Sequence, residues 1–374
     1  MLTVIARIAI MILTSCALCE AYASKATITF AAATGSTQTN ITLAFTGNDA
    51  KLRTVANGGA IQNTVLRTGV TVPVDFILTS DTTCATFTGG YAWVFDSYNP
   101  VTGELTGRAL VTSLTAAATV VPTVCVGDAA VVTYQGGAVG AAFDGATTKA
   151  MWPLPDGTTI SALDFSANGA NGTVVAAAPA TTGKIDGAIS LNGSTQYVAG
   201  SMAATTPLPV TLRAWVKQTA TFTYGVALSV DANNNSGYRM GTHGPTNKPM
   251  FTLGGVADYP AFSLATLTTG TWYYMAAVAS GSSVTVYLAP SGGAMTSETI
   301  AIGAATGAMD KFHIGIWGLL TAVTAWPGPI DEAIVVGVAR SANWIDTEFR
   351  NQDNPPAISA FTDLDTGVAQ VVIF

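Results

Sequence analysis

The feature that most constrains the fold is a two-residue alternation of apolar side chains, which recurs in short runs. The runs at 212–217, 283–288 and 312–317 each have an apolar residue at every second position. This spacing puts the apolar side chains on one face of a β-strand, because successive side chains point to opposite faces. Turn-forming pairs such as Asn168-Gly169 and Asn171-Gly172 lie between other runs. Many short strands separated by turns predict an antiparallel β-sandwich.

The composition agrees with strands rather than with surface helices. Charged residues make up only 10% of the chain, whereas a typical soluble domain has about 25%. Long surface helices favour Glu, Lys and Arg, so few are expected. One short helix is predicted after Ser341, with Trp344, Ile345 and Phe349 as its apolar stripe and Asn354-Pro355-Pro356 as its end.

The net charge is −7, and the basic residues do not cluster. Nucleic-acid binding requires grouped Lys and Arg to neutralise phosphates, and a polybasic membrane-surface patch requires the same grouping. The sequence therefore predicts no nucleic-acid partner, and it favours a neutral one.

The N-terminus has the form of an export signal, predicted to span 1–23. Arg7 precedes the apolar stretch Ile8–Leu18, and Ala21-Tyr22-Ala23 is a small-x-small cleavage site before Ser24. The alternative is lipidation at Cys16, which follows an apolar-small-small sequence. Both interpretations predict a secreted or cell-surface protein. No later apolar run is long enough to predict a transmembrane helix.

Cleavage at this site leaves Cys84 and Cys125 as the remaining cysteines. Exported proteins form disulfides, so these two are predicted to form one bridge. In the chain-entropy model such a bridge contributes about 4 kcal/mol. The alternative is a pair of unpaired buried thiols.

Seven short motifs occur in order between Trp152 and Asn354. They are Trp152–Gly157, Asp164–Thr173, Gly187–Gly193, Ala214–Lys217, Gly270–Trp272, Gly328–Ala333 and Ala339–Ile345. Their order and spacing resemble the bacterial laminin-G-like, concanavalin A-like jelly-roll domain. The resemblance implies an antiparallel two-sheet sandwich that serves binding.

The preceding segment resembles domain-of-unknown-function family 2341, on the motifs Tyr98–Leu105, Tyr134–Gly137 and Ala142–Trp152. The predicted fold class is therefore all-β. A β-rich N-terminal domain over 24–150 precedes the jelly-roll over 151–354, which ends in the short helix. Residues 355–374 are predicted to be a C-terminal tail or a last strand.

The sequence does not predict an enzyme. Retaining glycoside hydrolysis needs two carboxylates about 5 Å apart, and Asp331 and Glu332 are adjacent, so they are expected to face opposite sides of a strand. His243 and His313 lack any metal-ligand spacing. His313 is predicted to be a solvated or packed side chain.

Two loops have the residue types that hold neutral glycans. One is rich in asparagine and turn residues and includes Asn234, Tyr238 and Arg239, with His243 just beyond. Trp317 and Trp326 bracket the other. These residues are the candidate ligand-binding set. The alternative for each Trp is a core position, because large aromatic side chains usually pack.

The jelly-roll resemblance also implies a structural calcium ion, which takes six to eight oxygen ligands. Asp164 and Asp331 fall at the matching positions and are the candidate ligands. The alternative for Asp164, an Asx-type turn, is slightly favoured because no carboxylate-dense loop accompanies it. No other cofactor is predicted.

The function predicted from these patterns is that of an exported, non-catalytic carbohydrate-binding or adhesion module whose partner is a glycan or a cell-surface or envelope protein. The first alternative is a structural envelope or virion-surface protein without a small ligand, which self-associates through its apolar end at 371–374. The second is a divergent glycosidase.

Overall fold

A computed structural model describes residues 22–85, 90–155, 160–205, 208–220, 224–232, 236–304, 307 and 309–364. Cys16 and the rest of the segment 1–21, Asn234, and the apolar end at 371–374 lie outside these residues. The described part is built of β-strands with a single α-helix, α1 (Ala342–Asp353). The all-β class with one short C-terminal helix is therefore confirmed.

The second half of the chain folds into two stacked antiparallel sheets. The seven-stranded sheet has the order β10-β13-β22-β15-β16-β17-β18. Its strands, in chain order, are β10 (Thr173–Val175), β13 (Tyr197–Thr205), β15 (Gly225–Asp231), β16 (Tyr238–His243), β17 (Lys248–Leu253), β18 (Ala257–Pro260) and β22 (Met309–Ile314).

The second sheet has eight strands in the order β11-β12-β23-β14-β19-β20-β21, and β9 also pairs with β23. Its strands are β9 (Thr148–Trp152), β11 (Ala180–Thr182), β12 (Gly187–Asn192), β14 (Val210–Lys217), β19 (Trp272–Ser280), β20 (Ser283–Pro290), β21 (Thr296–Ala301) and β23 (Pro327–Val336). Because β9 belongs to this sheet, the predicted boundary at 150/151 falls inside a strand.

The largest buried cluster lies between these two sheets. Leu212, Ala214 and Val216 of β14 point into it, as the alternation predicted, and Trp152 stacks on Phe312 with ring centroids 4.1 Å apart. Full burial of one such aliphatic side chain contributes about 1.5–3 kcal/mol, so this cluster is what holds the sandwich together.

The N-terminal region contains three smaller antiparallel sheets. Their strands are β1 (Ser24–Thr27), β2 (Gln38–Asn48), β3 (Thr64–Arg67), β4 (Val70–Pro73), β5 (Phe76–Thr79), β6 (Ala92–Tyr98), β7 (Glu104–Leu114), β8 (Thr123–Val126) and β24 (Thr362–Asp363). Short 3₁₀ helices lie at Ala50–Leu52 and Val55–Asn57 in this region. Two others lie in the sandwich, at Gly244–Thr246 and Ala322–Thr324. The sheet orders are β24-β1-β8-β5, β2-β7-β6 and β3-β4. The predicted disulfide is confirmed, since it joins Cys84 to Cys125 of β8 across 5.9 Å between Cα atoms.

Both ends of the described chain meet in the first of these sheets. β24, which follows the helix, pairs with β1, so the region after 354 includes a strand of the N-terminal sheet. The Ala23 N–H donates to the Val126 carbonyl at 3.0 Å, and Tyr22 is buried. The described fold thus includes two residues that the predicted signal segment 1–23 would remove.

Helix α1 joins the N-terminal region to the sandwich. Its Phe349 packs on Trp215 and Tyr274, on the outer face of the eight-stranded sheet, with ring centroids 5.8 Å from each. On its other side the Asn351 amide exchanges two hydrogen bonds with the Ala44 backbone of β2, at 2.7 and 3.0 Å. One buried cluster therefore continues from the N-terminal sheets through the helix to the sandwich.

Buried charges cross the same junction. Arg108 of β7 donates from Nε to Asp96 at 3.0 Å and from both terminal nitrogens to the Glu332 carboxylate of β23. Arg213 of β14 pairs with Glu348 of the helix. Burial raises the pKa of Glu332 to about 8, although Arg108 opposes the shift.

The expectation that Asp331 and Glu332 face opposite sides of their strand is wrong. The register of β23 against β14 shifts between the pairs Arg213–Ile334 and Trp215–Asp331. This β-bulge inserts one residue, so both carboxylates lie on the outer face of the sheet, where Glu332 accepts a hydrogen bond from Gln352 of the helix and Asp331 accepts from the turn at 184–185. They are almost completely buried.

Candidate ligand-binding cleft

The outer face of the seven-stranded sheet carries a row of polar residues. Arg239 pairs with Ser229 on one side and with Thr252 on the other, and these two pair in turn with His313 and Asp258. Directly paired residues of antiparallel strands point to the same face. Five side chains from five strands thus form one line across the sheet.

The segment that follows β22 covers part of this row. The Trp326 N–H donates to the Gly315 carbonyl at 2.8 Å, which closes the segment into a loop. Gly318 lies against the Asp231 carboxylate, so a Cβ at this position would come within 2.5 Å of an Asp231 oxygen. A larger residue there would have to displace the Asp231 carboxylate, so glycine allows the close approach that brings Trp317 over the sheet.

Trp317 stacks on Arg239, with the guanidinium carbon 3.5 Å from the centroid of the indole ring. Arg239 is 8% exposed, and Trp317 is half-buried. The Arg239 Nε and the Trp317 Nε1 are both buried, and within the described part of the chain neither atom has a hydrogen-bond partner. Buried donors are nearly always paired in folded proteins, yet among the described residues the Nε atoms of Arg213 and Arg340 and the Nε1 atoms of Trp93 and Trp344 are also buried without a partner. The feature that distinguishes Arg239 is therefore its close stack on Trp317 rather than its unpaired Nε.

Burial lowers the pKa of Arg239 to about 10, while the nearby Asp258 and Asp231 carboxylates oppose the shift. The guanidinium is therefore still charged at neutral pH. Among the described residues, no carboxylate lies within ion-pair distance of it.

The stack forms one wall of a cleft of about 270 Å³ beside the turn between β17 and β18. Asp258 lies on the opposite wall, where its Oδ1 accepts a hydrogen bond from the Thr252 hydroxyl at 2.7 Å. Val256, which is 46% exposed, lies at the rim. The cleft thus combines an aromatic ring, a guanidinium group and a carboxylate acceptor, which is the chemistry that binds a polyhydroxylated ligand.

Of the predicted ligand-binding residues, the structure brings Arg239 and Trp317 together at the cleft, whereas Tyr238 and Trp326 lie in the core. Tyr238 is 1% exposed and lies in the core between the sheets, because it alternates with Arg239 along β16. Trp326 is fully buried in the same core, and its Nε1 donates to the Lys217 carbonyl at 3.3 Å. The predictions for Tyr238 and Trp326 were therefore wrong.

His243 lies on the same face as Arg239 but outside the cleft. Its Nδ1 is 3.1 Å from the Thr246 hydroxyl, and its ring meets the rings of Tyr224 and Phe262 edge-on at 5.7 and 5.9 Å. Sequence reasoning missed Tyr224 and Phe262, as well as Thr252 and Asp258 in the cleft. Only strand pairing brings them to the site, and the sequence does not specify that pairing.

The two candidate calcium ligands do not fit a calcium site. The Asp164 carboxylate accepts N–H groups of Met151, Ser166 and Ala170 at 2.8–2.9 Å, together with the Ser166 hydroxyl at 2.7 Å. These donors occupy the directions that a cation would need. The Asp331 Oδ2 accepts the N–H groups of two consecutive residues, 184 and 185. Both aspartates therefore stabilise turns, and the described residues contain no group of three or more potential metal ligands.

The described residues offer no accessible pair of facing carboxylates at the positions considered for catalysis. Asp331 and Glu332 are enclosed between the sandwich and helix α1, where no substrate reaches them. His313 is buried on the outer sheet face, and its Nδ1 lies 3.2 Å from the Asp231 carboxylate. Of the two predictions for His313, a solvated or a packed side chain, the structure shows the packed one.

Residues 192–346 match the family model described as the Concanavalin A-like lectin/glucanases superfamily. This match supports the jelly-roll resemblance, and it leaves the N-terminal region without a family assignment. A comparison with curated proteins gave no match. No helix among the described residues has the length and apolar character needed to cross a bilayer.

Solved structures with a similar fold include domain 4 of AbnA, an extracellular GH43 arabinanase from Geobacillus stearothermophilus, solved in complex with arabinotriose. It is 20% identical and has a TM-score of 0.42, over 54% of this chain and 98% of that one. The receptor-binding domain of botulinum neurotoxin type G is 14% identical with a TM-score of 0.39, over 54% of this chain and 51% of that one. The binding domain of Paraclostridial mosquitocidal protein 1 is 13% identical with a TM-score of 0.41, over 55% and 52%. The chain spans about half the length of the two toxin domains, and scores of this size are too low to carry over a ligand.

Proposed function

We propose that this protein is an exported, non-catalytic carbohydrate-binding module whose ligand lies in the cleft between Trp317, Arg239 and Asp258. The observation that carries the proposal is the stacked pair of Arg239 and Trp317 in the wall of a cleft that Asp258 also lines. The superfamily that residues 192–346 match includes lectins by its description, which agrees with a binding role.

The cleft favours a neutral, hydroxyl-rich ligand over a strong anion. Arg239 offers donors, but Asp258 faces the same space and Asp231 lies close by, so the local charge is not positive. Sugar hydroxyls both donate and accept hydrogen bonds, so they would meet the Arg239 guanidinium and the Asp258 carboxylate together. The apolar face of a sugar ring would pack on the accessible edge of the indole.

Binding also agrees with the absence of chemistry at the cleft. Asp258 is its only titratable carboxylate among the lining residues, and retaining or inverting hydrolysis each need a facing pair. The alternative of a divergent glycosidase rested on Asp331 and Glu332, which are buried elsewhere. The alternative of a structural, self-associating envelope protein rested on 371–374, which lie outside the described residues.

The test is an array of neutral and acidic oligosaccharides probed with the purified chain and with Trp317→Ala. We expect Trp317→Ala to weaken glycan binding by about 30-fold, because truncating an aromatic anchor costs about 2 kcal/mol or more. The matched control is Trp272→Ala, which removes a half-buried Trp that carries Lys217 at 4.9 Å on the other sheet. Wild-type binding by Trp317→Ala, or no binding by the unaltered chain to any glycan, would contradict the proposal.

A further inference from the structure

A second aromatic cluster lies on the same outer face of the seven-stranded sheet. The rings of Tyr224 and Phe262 flank His243 edge-on. Phe262 is 57% exposed, whereas Tyr224 and His243 are half-buried. Large exposed aromatic side chains are uncommon on a protein surface, because burying them stabilises the fold.

Strand β16 connects this cluster to the cleft. Arg239 and His243 are four residues apart on one regular strand, so both point to the outer face, at a separation of about 13 Å. Gly241 is the residue of β16 between them that points to the same side. Glycine adds no side chain here, and the backbone of β15 lies against it, because a Cβ at this position would clash with the Gly225 carbonyl oxygen.

The pairing of β17 and β18 carries the cluster to the same edge of the sheet as the cleft. Thr252 pairs with Asp258 and Met250 pairs with Pro260. Continuing the same register by two residues places Phe262 beside Lys248, which pairs with His243. The aromatic cluster and the cleft therefore both lie on the outer face of strands β16, β17 and β18.

We infer that the Tyr224–His243–Phe262 cluster is a second sugar subsite, and that the ligand is an extended oligosaccharide that contacts both the cleft and the cluster. This inference rests on the proposed function of the Arg239–Trp317 cleft and adds the length of the glycan to it. A separation of about 13 Å exceeds one sugar ring, so a monosaccharide or a short disaccharide in the cleft does not reach the cluster. The cluster offers the aromatic rings of Tyr224 and Phe262 beside the polar imidazole of His243, which fits the hydrophobic face and the hydroxyl groups of a neutral pyranose or furanose.

The test is calorimetric titration with arabinan-, xylan-, cellulose- and chitin-derived oligosaccharides of one to six units, which are the probes used. For the series that binds, we expect the affinity to rise by about tenfold or more between the dimer and the tetramer and to level off beyond. Phe262→Ala should reduce the affinity for the tetramer to that for the dimer and leave the affinity for the dimer unchanged. Trp317→Ala should weaken the binding of both.

The control is Leu66→Ala, which removes a 71% exposed apolar side chain from the N-terminal region. It should bind every oligosaccharide as the unaltered chain does. His243→Ala is a second variant at the subsite and should repeat the effect of Phe262→Ala. Affinity that does not depend on length, together with wild-type binding by Phe262→Ala, would overturn the second subsite while leaving the cleft intact. Absence of binding to every series would overturn both proposals.

Discussion

Two buried arginines in this molecule have opposite surroundings. Arg108 is 2% exposed and is held by two carboxylates, Asp96 and Glu332, at the junction of the N-terminal region with the sandwich. Arg239 is 8% exposed and lies against an indole ring, and no carboxylate among the described residues pairs with it. Both guanidinium groups are buried, but among the described residues only that of Arg108 is paired with carboxylates.

The difference separates structure from binding. An ionic group removed from water is expensive unless it is paired, so the partners of Arg108 are what keep the junction folded. Among the described residues Arg239 has no such partner, and its guanidinium instead stacks on Trp317 in the wall of the cleft. A ligand acceptor that meets this guanidinium would form a charge-assisted hydrogen bond, which is why we assign Arg108 to stability and Arg239 to recognition.

The largest expected effect comes from removing the two guanidinium groups in turn. Arg108→Met removes the buried cation that pairs with Asp96 and Glu332 and leaves Glu332 with the Gln352 amide alone, and breaking a buried pair in this way costs about 3–5 kcal/mol. Arg239→Met removes an unpaired buried charge, so the free energy of unfolding should change by less than about 1 kcal/mol. Chemical denaturation of both variants measures the contrast.

Equal destabilisation by the two substitutions would break the distinction. The glycan affinities of the two variants should show the reverse pattern, with the larger loss in Arg239→Met. Arg239→Met is expected to lose glycan affinity on the array, whereas the folded fraction of Arg108→Met should keep it.

The sequence predicted the sandwich in the second half of the chain well, because apolar and polar residues alternate regularly along its strands. Leu212, Ala214 and Val216 point inward as expected, and Cys84 and Cys125 form the expected bridge. The bulge that turns Asp331 and Glu332 to one face has no such signature. It depends on how β23 pairs with β14, which is a long-range property.

The candidate site was only partly predictable for the same physical reason. Arg239 and Trp317 stood out by residue type, but Tyr238 alternates with Arg239, and the sequence did not say which of the two faces the core. Trp326 shared the flanking glycine and proline of an exposed loop, yet packing enclosed it. Asp258 and Phe262 come to the site through β18, and no local pattern around them indicates that pairing.

The next effect in size is a pH dependence that arises at the Arg108 junction. Four carboxylates with raised pKa values, Asp96, Asp331, Glu332 and Glu348, are buried there by the protein. Three arginines among the described residues, Arg108, Arg213 and Arg340, oppose these shifts. The folded protein therefore binds more protons than the unfolded chain between the ordinary pKa of a carboxyl group and the value of about 8 at Glu332.

Because the pKa in the folded state is the higher one, this contribution to stability is fully present below about pH 4.5 and is lost as the pH rises through about 8. Each pKa unit corresponds to about 1.4 kcal/mol, so we expect the free energy of unfolding to fall by about 2–4 kcal/mol between pH 5 and pH 9. Denaturation at several pH values measures this slope. Glu332→Gln should flatten it, and stability that instead increases over this range would contradict the assignment.

The smallest expected effect tests the geometry of Arg239 rather than its charge. Arg239→Lys keeps the positive charge, but it removes the Nε donor and the planar group that stacks on Trp317. We expect the glycan affinity to fall by about tenfold, or about 1.4 kcal/mol, with no change in the unfolding midpoint. The matched control is Arg67→Lys, because the Arg67 guanidinium lies 4.1 Å from the centroid of the Tyr134 ring in the N-terminal region. If Arg239→Lys binds as tightly as the unaltered chain, the ligand detects only a positive charge, and the unpaired Nε has no part in recognition.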